Sequence, residues 1–472
     1  PTVNIHRSPL NGRNFECFSE DPYLSARIAV AYVRGLQPNG VAACIKHFVC
    51  NDSEFERQSI NVEVSERPLR EIYLPPFQAA VEEAGVWSLM SSYNKVNGTY
   101  ASQNPYLLRD ILKGEWGWDG LVVSDWTGTY STVEAANAGL DLEMPGPAQN
   151  MGDLLLAAVR DGRVSEAAVE DKARRLLRLM QRVGAFENPG IPTEQAIDKP
   201  EHHALLREAA AESIVLLKND HDVLPLDPAK ISTLAIIGAN AVTAQIQGGG
   251  SSGVTPHYVV SPLDGVKAQA GDALEVRYEL GSLTYKMIPI LDAQMVRPEA
   301  GSSAAGLKAE FFNNQDLAGQ PAAVRTYRRF NLMWMDELPP GIEPGGFSVR
   351  FSGTLTAPET GDYTFSLVSA GISRLFVNDQ PVVDNWTNPQ PGESVFGFGS
   401  AEVSARYPMT EGTTYSLRVD FSTRGSLFMG ALRLGLLPPI PEDAIDRAVR
   451  LASDSDVAVV FAGLGGEWES EG

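Results

Sequence analysis

The sequence has little of what marks several classes of protein. Its 472 residues include only three cysteines, Cys17, Cys44 and Cys50. This odd number without metal-ligand spacing predicts reduced packing residues, with neither a disulfide framework nor a metal site. No apolar run approaches the roughly 18 residues that span a bilayer, and the first residues lack the pattern of a signal peptide. We therefore expect no membrane partner.

Positive charge is also scarce. The chain has 38 Lys and Arg against 59 Asp and Glu, a net charge of −21. Binding to nucleic acid or to anionic lipid depends on basic patches, so we expect neither partner. A neutral substrate such as a sugar is compatible with this charge, and we expect no cofactor. Whether the protein is a homo-oligomer, and whether it is cytoplasmic or secreted, stay open.

Helices and strands alternate in the first part of the chain, an order typical of a parallel sheet closed or covered by helices. Ser165 is a plausible cap for a helix that Gly184 ends, and the Pro-rich stretch 188–200 indicates an interdomain linker. The chain opens in a polar loop, so we expect its true N-terminus to be missing. The earlier predicted elements are helices at 22–36, 65–84, with a bend at Pro75, and 106–113, and strands at 40–45, 86–92 and 121–124.

The second part changes character twice. A helix from about residue 201 and strands at 213–218 and 234–238 predict another α/β unit. The glycine-rich stretch 248–253 invites comparison with a phosphate-binding loop, but no Gly-Lys-Ser/Thr follows, which favours a flexible turn. Short alternating strands from 307 to about 436 then indicate an all-β sandwich. A helix at 441–453 and a strand at 457–462 resume the α/β pattern, so the sandwich is an insertion.

Polar residues follow the predicted strands, where a parallel sheet gathers a site. Asp125 ends the buried run 121–124, although from this stretch alone a helix N-cap is the favoured interpretation. Trp126 beside it offers an apolar face to a sugar ring, and Arg, Lys and His can donate to several hydroxyls. Each residue alone is more often a structural ion pair or a core aromatic. The cationic and hydrogen-bonding candidates are Arg13, Lys46, His47, Arg57 and Tyr93.

The last residues form a glycine-flanked loop with Glu467, Glu469 and Glu471. Without a partner this loop is a solvated acidic turn. Displacement at an acetal carbon needs two carboxylates, one ionised to attack and one protonated to assist the leaving group. Asp125 and this loop could form that pair, in a cleft between two domains.

Five motifs follow one another along the chain: Gly12-Arg13-Asn14-Phe15-Glu16, Lys46-His47-Phe48-Val49-Cys50-Asn51 with Glu54 and Arg57, Ser92-Tyr93-Asn94-Lys95-Val96-Asn97-Gly98, Val123-Ser124-Asp125-Trp126 and Glu467-Trp468-Glu469-Ser470-Glu471-Gly472. Together they resemble the β-glucosidases of glycoside hydrolase family 3. The match runs through the chain except for the insertion, which resembles the PA-fourteen (protective-antigen) β-sandwich through 307–312, 361–365 and 375–379.

The resemblance implies an α/β multidomain protein. It comprises a (β/α)8-type barrel catalytic domain at 1–185, incomplete at its N-terminus, and a linker at 186–203. An α/β/α sandwich covers 204–303 and 437–472, incomplete at its C-terminus, and the PA-fourteen-like sandwich is inserted at 304–436. Further barrel strands, including a sugar-binding Asp, would precede Pro1 in the family. Insert loops in relatives wall the pocket, so we expect a preference for short or aryl glucosides.

The resemblance also implies a retaining β-glucosidase that acts on terminal β-D-glucosyl residues of small glucosides or oligosaccharides. Asp125 is then the nucleophile and Glu471 the acid/base, with Arg13, Lys46, His47, Arg57, Tyr93 and Trp126 binding the sugar. We expect Lys46 and Arg57 to keep Asp125 ionised and the charge of Asp125 to raise the pKa of Glu471. The alternatives are a β-xylosidase or other exo-β-glycosidase of the family, and a non-catalytic carbohydrate-binding protein.

Overall fold

The computed structural model of the chain describes residues 1–472 except 249, 255, 335–337, 345, 393, 427–428, 469–470 and 472. The chain divides into two compact units. The first comprises Pro1–Leu226, Gln245–Val259 and Glu469–Gly472, and the second comprises Asp227–Ala244 and Val260–Trp468. The architecture is that of an α/β multidomain protein. Within the described ranges, no helix is both long and apolar enough to cross a membrane.

The first unit is built on parallel strands. β1, β3 and β6 pair side by side in that order, and single parallel bridges add Thr2 beside β1 and Leu142 beside β6. A small second sheet joins β2, β4 and β5. The strands are β1 (Cys44–Phe48), β2 (Asn61–Val62), β3 (Ser88–Ser91), β4 (Lys95–Val96), β5 (Thr99–Tyr100) and β6 (Leu121–Val123).

Helices of the first unit bury apolar faces against this sheet. Phe48, Phe77, Leu89 and Leu108 belong to one continuous core. The helix predicted at 65–84 is broken near Pro75, as expected, and includes a π-helical turn. The helices are α1 (Pro22–Leu36), α2 (Glu66–Pro68), α3 (Pro75–Glu82), α4 (Val133–Ala138), α5 (Asp153–Arg160), α6 (Glu166–Arg182) and α7 (Pro200–Glu212), with π-helical Leu69–Tyr73 and Tyr106–Glu115.

Two strand predictions need correction. The strand expected at 40–45 is β1, which begins only at Cys44 and therefore includes Lys46 and His47. Val41 is 51% exposed, and pairing with β3 starts at Cys44. The strand expected at 213–218 does not form, and Ile214 and Leu217 are 77% and 91% exposed. An apolar, β-branched composition alone does not make a strand without a partner strand, and no described strand pairs with this run. The next sheet along the chain is a three-stranded parallel sheet in the order β20-β7-β8, formed by β7 (Thr233–Ile237), β8 (Glu275–Glu279) and β20 (Val457–Val460).

The second unit combines that parallel sheet with two antiparallel sheets. α8 (Pro262–Ala270) and α9 (Ala444–Ser453) accompany the parallel sheet. One antiparallel sheet has the order β11-β10-β13-β18-β15-β16, with β9 also paired to β13, and the other has the order β12-β19-β14-β17. The strands are β9 (Val296–Arg297), β10 (Leu307–Phe312), β11 (Ala323–Tyr327), β12 (Asn331–Trp334), β13 (Ser348–Thr356), β14 (Gly361–Ala370), β15 (Ile372–Val377), β16 (Gln380–Asn385), β17 (Val403–Met409), β18 (Thr414–Ser422) and β19 (Gly430–Leu437).

The two antiparallel sheets share one apolar core. Phe351 from the first sheet and Phe365 and Leu434 from the second belong to the same buried cluster. Strands buried on alternate residues produce such a core when two sheets face each other. The short alternating strands predicted from 347 to 421 therefore form where the sequence placed them.

Candidate functional site

Asp125 lies just beyond the C-terminal end of β6, and its neighbours fix that end. Asp141 accepts the Val122 amide at 2.8 Å through Oδ2 and the Lys113 ammonium at 2.6 Å through Oδ1. Ser124 donates its amide to the Leu142 carbonyl at 2.9 Å, and its hydroxyl accepts the Met144 amide at 2.9 Å. These bonds hold the strand from which the Asp125 carboxylate projects.

The Asp125 carboxylate is only 7% exposed and its two oxygens differ. Oδ1 accepts the Trp126 amide at 2.7 Å, whereas Oδ2 is buried without a hydrogen-bond partner in the structure. Burial raises the pKa of Asp125 above its usual range, and the Trp126 amide, Tyr93, Arg13 and Arg57 oppose that effect. An unpaired buried carboxylate oxygen is costly, which marks this atom as a functional candidate.

His47 stands 3.6 Å from that oxygen, measured from its Nε2. Its Nδ1 lies 3.3 Å from the Asn4 side-chain oxygen, so Nδ1 carries the proton and Nε2 faces Arg13 Nη1 at 3.4 Å as an acceptor. Burial, followed by the charges of Arg13 and Lys46, lowers the pKa of His47 well below its usual value. The ring is therefore neutral.

Glu471 is held by two guanidinium groups of the same unit. Arg57 Nη1 donates to its Oε1 at 2.9 Å, and Arg13 Nη1 lies 3.7 Å from the same oxygen. Arg57 also binds Glu54 Oε2 at 2.7 Å. Arg13 binds Glu16 Oε1 through Nε at 2.5 Å. Two carboxylates therefore share Arg57.

The ionisation of Glu471 differs from the expectation. Burial alone would raise its pKa, but Arg13, the amide and hydroxyl of Ser251, and Arg57 together hold the pKa of Glu471 at about 2. The expected rise, caused by the charge of Asp125, is wrong for this state of the site, because Arg57 and Arg13 lie 2.9 and 3.7 Å from the Glu471 carboxylate. Burial raises the pKa of Asp125, while Arg57, one of the two cations expected to keep it ionised, lowers that pKa together with Tyr93.

Two parts of the chain match family models built on known proteins. Residues 1–179 match the model of the glycosyl hydrolase family 3 N-terminal domain, and residues 303–444 match the PA14 domain. The chain carries a family 3 N-terminal domain and a PA14 domain. The whole chain is 45% identical to a β-glucosidase of Rhizobium radiobacter and 40% identical to β-glucosidase B of Emericella nidulans. It spans 57% and 56% of those relatives, little more than half of their length.

Solved structures agree with this assignment. A β-glucosidase from Kluyveromyces marxianus, in complex with glucose, is 37% identical and superposes with a TM-score of 0.92 over 100% of this chain and 58% of its own. A β-glucosidase from Streptomyces venezuelae, in complex with D-glucose, is 32% identical with a TM-score of 0.65, again over 100% of this chain and 56% of its own.

The family 3 domain brings most of the predicted residues together. Arg13 and Arg57 contact Glu471, while His47 and Tyr93 adjoin Asp125. Tyr93 donates its hydroxyl to the Trp126 carbonyl at 2.8 Å, and Arg57 stacks over its ring at 4.8 Å. Lys46 Nζ instead lies 3.8 Å from Glu16 Oε2. Trp126 is 41% exposed.

Three residues of this neighbourhood escaped the sequence argument. Asn4 fixes the His47 ring, and Ser251, whose amide donates to Glu471 Oε2 at 2.7 Å, lies in the glycine-rich stretch interpreted as a flexible turn. Glu54 was noted only as part of a motif. Glu469, the rival of Glu471 in the same loop, lies outside the described residues, whereas Glu467 belongs to the second unit.

Proposed function

We propose that the protein is a retaining β-glucosidase that hydrolyses terminal β-D-glucosyl residues through a covalent glycosyl-enzyme. One observation carries the proposal: a buried carboxylate, Asp125, with one oxygen unpaired, shares its electrostatic surroundings with a second carboxylate, Glu471. The charges of Arg13 and Arg57 lower the pKa of both carboxyl groups. The names of the relatives and the family 3 match support the same activity.

The reaction assigns one role to each carboxylate. Asp125 Oδ2 attacks the anomeric carbon while Glu471 gives a proton to the departing glycosidic oxygen, so the aglycone leaves neutral. Glu471 then removes a proton from water, whose oxygen attacks the same carbon and releases Asp125. Two inversions give retention. Retaining chemistry places the two carboxyl groups about 5 to 5.5 Å apart.

Ionisation of the site must change as sugar binds. Glu471 is ionised in this structure because Arg57 and Arg13 neutralise it. Sugar hydroxyls are acceptors that compete for the same guanidinium N–H groups. Each donor that turns from Glu471 to the sugar raises the pKa of Glu471 towards the protonated acid that the first step needs. When glucose leaves the site, Arg57 and Arg13 again pair with Glu471.

The sugar contacts follow from residue chemistry. Arg13, Lys46 and Arg57 donate hydrogen bonds to hydroxyls of the sugar. The neutral ring of His47 can make a hydrogen bond to a hydroxyl without adding a charge to the site. The half-exposed Trp126 offers an apolar ring face to the pyranose. The Tyr93 hydroxyl donates to the backbone carbonyl of Trp126, the residue after Asp125, so Tyr93 lies beside the proposed nucleophile.

The architecture proposed for this function extends the observed sheets. The parallel strands of the first unit belong to a (β/α)8-type barrel at 1–185, joined by a linker at 186–203 to an α/β/α sandwich at 204–303 and 437–472. The PA-fourteen-like sandwich occupies 304–436. Parallel pairing of β1, β3 and β6, each ending near a polar group, supports the barrel.

The deciding test is hydrolysis of nitrophenyl β-glucoside and β-xyloside by the protein. We expect glucoside hydrolysis with the β-anomer released first, observed by NMR, and labelling of Asp125 by a 2-fluoroglucoside. A faster xyloside would indicate a β-xylosidase. An inverted product, or a label on another residue, would contradict the scheme, and sugar binding without turnover would indicate a binding protein.

A further inference from the structure

Gly248, Gly250 and Ser251, from the glycine-rich stretch 248–253, lie at the site, which their sequence does not indicate. We propose that Gly250 and Ser251 are positioning residues for Glu471: the backbone of this loop holds the carboxylate, and only glycine at 250 lets it approach. The kinetic consequence rests on the proposed function, whereas the contact itself does not.

Space at Gly250 is the first argument. A Cβ atom at this position would lie 2.4 Å from Glu471 Cβ and 2.7 Å from Glu471 Oε2. Glu471 Cβ is bonded directly to the backbone, so it cannot move away by side-chain rotation as the end of a flexible side chain could. Gly250 also has a φ of +69°, a conformation that glycine adopts without strain. Any side chain at 250 would therefore displace Glu471.

Hydrogen bonds to the carboxylate are the second argument. The Ser251 amide donates to Glu471 Oε2 at 2.7 Å, while Arg57 donates to Oε1 at 2.9 Å. Each oxygen is bound by a different segment, so rotation of the carboxylate is restrained. A backbone N–H donated to a carboxylate is a strong, charge-assisted bond. Because the Ser251 amide already donates to Glu471, it does not serve as a donor to a phosphate.

The position of Gly248 against Phe15 also supports the proposal. A Cβ at Gly248 would lie 2.2 Å from the Phe15 ring, so the loop packs directly on that side chain. Phe15 stands between Arg13 and Glu16, which form the 2.5 Å ion pair beside Glu471. The loop is thereby tied to the segment that carries one of the two guanidinium groups. Glu471 is positioned by contacts on both sides.

The test compares Gly250→Ala with Gly162→Ala. Gly162 has a φ of +70°, within a degree of that of Gly250, but nothing within 4 Å of its Cβ position. Both variants carry the same backbone strain, and only the first meets Glu471. We expect Gly250→Ala to lower kcat about 100-fold for glucosides with poor leaving groups. It should spare activated aryl glucosides and allow azide rescue. Gly162→Ala should change none of these.

A double-mutant cycle in melting temperature tests the contact without any activity. We expect Gly250→Ala to lower Tm more in the native background than in a Glu471→Gly background, where the clashing Cβ is gone. If Gly250→Ala fails to fold, recovery of folding in the double variant gives the same support. Equal losses in both backgrounds, or no folded double variant, would overturn the proposal.

The two proposals can also be separated. If the unsubstituted protein hydrolyses no β-glycoside but the cycle shows coupling, the proposed function fails and the contact stands. If the protein is an active glucosidase and Gly250→Ala retains normal leaving-group dependence, the positioning role is wrong.

Discussion

The interior at the strand ends of the first unit and the core of the PA14 domain are built from different chemistry. At the strand ends, buried side chains are charged or strongly polar, among them Arg13, His47, Asp52, Arg57 and Asp125. In the PA14 domain, the shared core is aromatic and aliphatic. Its largest fully buried members are Phe311, Phe347, Phe351, Tyr363, Phe365 and Phe421.

Buried polar groups in the PA14 domain also differ from those at the strand ends in how they are paired. Asp420 is 1% exposed, and it is neutralised by Arg350 at 2.8 Å and Arg374 at 3.1 Å. Asn385 donates to the hydroxyls of Ser400 and Ser369 at 2.8 and 3.0 Å. The Asn385 Oδ1 atom has no partner among the described residues, but both oxygens of the buried Asp420 carboxylate are paired, whereas the first unit leaves Asp125 Oδ2 unpaired. The PA14 domain is arranged for packing, and the strand ends of the first unit are arranged for chemistry.

The sharpest test of this comparison is Asp125→Asn. The amide cannot attack carbon, so we expect kcat to fall about 10⁴-fold or more. Melting temperature should change little, because the substitution relieves a buried charge. Asp119→Asn, beyond the other end of β6 and on the surface, is the matched control and should keep full activity. Substantial residual turnover without contaminating enzyme would remove Asp125 from the reaction.

Glu471→Ala should have the next largest effect. Loss of the general acid should lower kcat about 10²- to 10⁴-fold for poor leaving groups, and azide should rescue activated substrates. Glu467→Ala is the control within the same terminal loop and should cost little. Steady-state kinetics over a series of leaving groups measures the difference. Azide rescue at 467 would move the acid role there.

Phe351→Ala should reverse the pattern of Asp125→Asn. Phe351 is 1% exposed and packs near Trp334 and Tyr327, so truncation should cost about 3 to 5 kcal/mol of unfolding free energy. We expect kcat per folded molecule to stay unchanged. Denaturant unfolding measures the loss. The exposed Phe398→Ala should cost less than about 1 kcal/mol.

Asp52 gives the smallest expected effect and a pH signature. Burial raises the pKa of Asp52 to about 6, against the opposing charge of Arg7. A carboxyl whose folded pKa exceeds its unfolded value binds more protons when folded, so stability falls as pH rises from about 4 to about 6. The shift corresponds to about 3 kcal/mol. Asp52→Asn should remove that loss.

Unfolding curves at pH 4 and pH 7 measure this change. The stability of the native protein relative to Asp52→Asn should be about 2 kcal/mol lower at pH 7 than at pH 4, because the unfolded carboxyl is already partly ionised at pH 4. Asp110→Asn, a substitution on the surface, is the control. A difference of the opposite sign would mean that the Arg7 ion pair outweighs burial.

Sequence patterns predicted local structure well where local forces decide it. The helix Pro22–Leu36 was predicted with its observed bounds, since Asp21 caps it and Pro22 suits its first turn. The run at 213–218 does not form a strand, because β-branched residues favour pairing but do not supply a partner strand. The domain boundaries and the roles of the site residues remain predictions.

The sequence by itself determined which side chains stand at the strand ends, because residue type and strand position are local properties. Only the tertiary structure decided their partners and their ionisation. Arg57 and Glu471 are 414 residues apart, and Ser251 and Glu471 are 220 apart, so no periodicity could relate them. A pKa depends on burial and on charges within a few ångströms. Those distances exist only after the chain has folded.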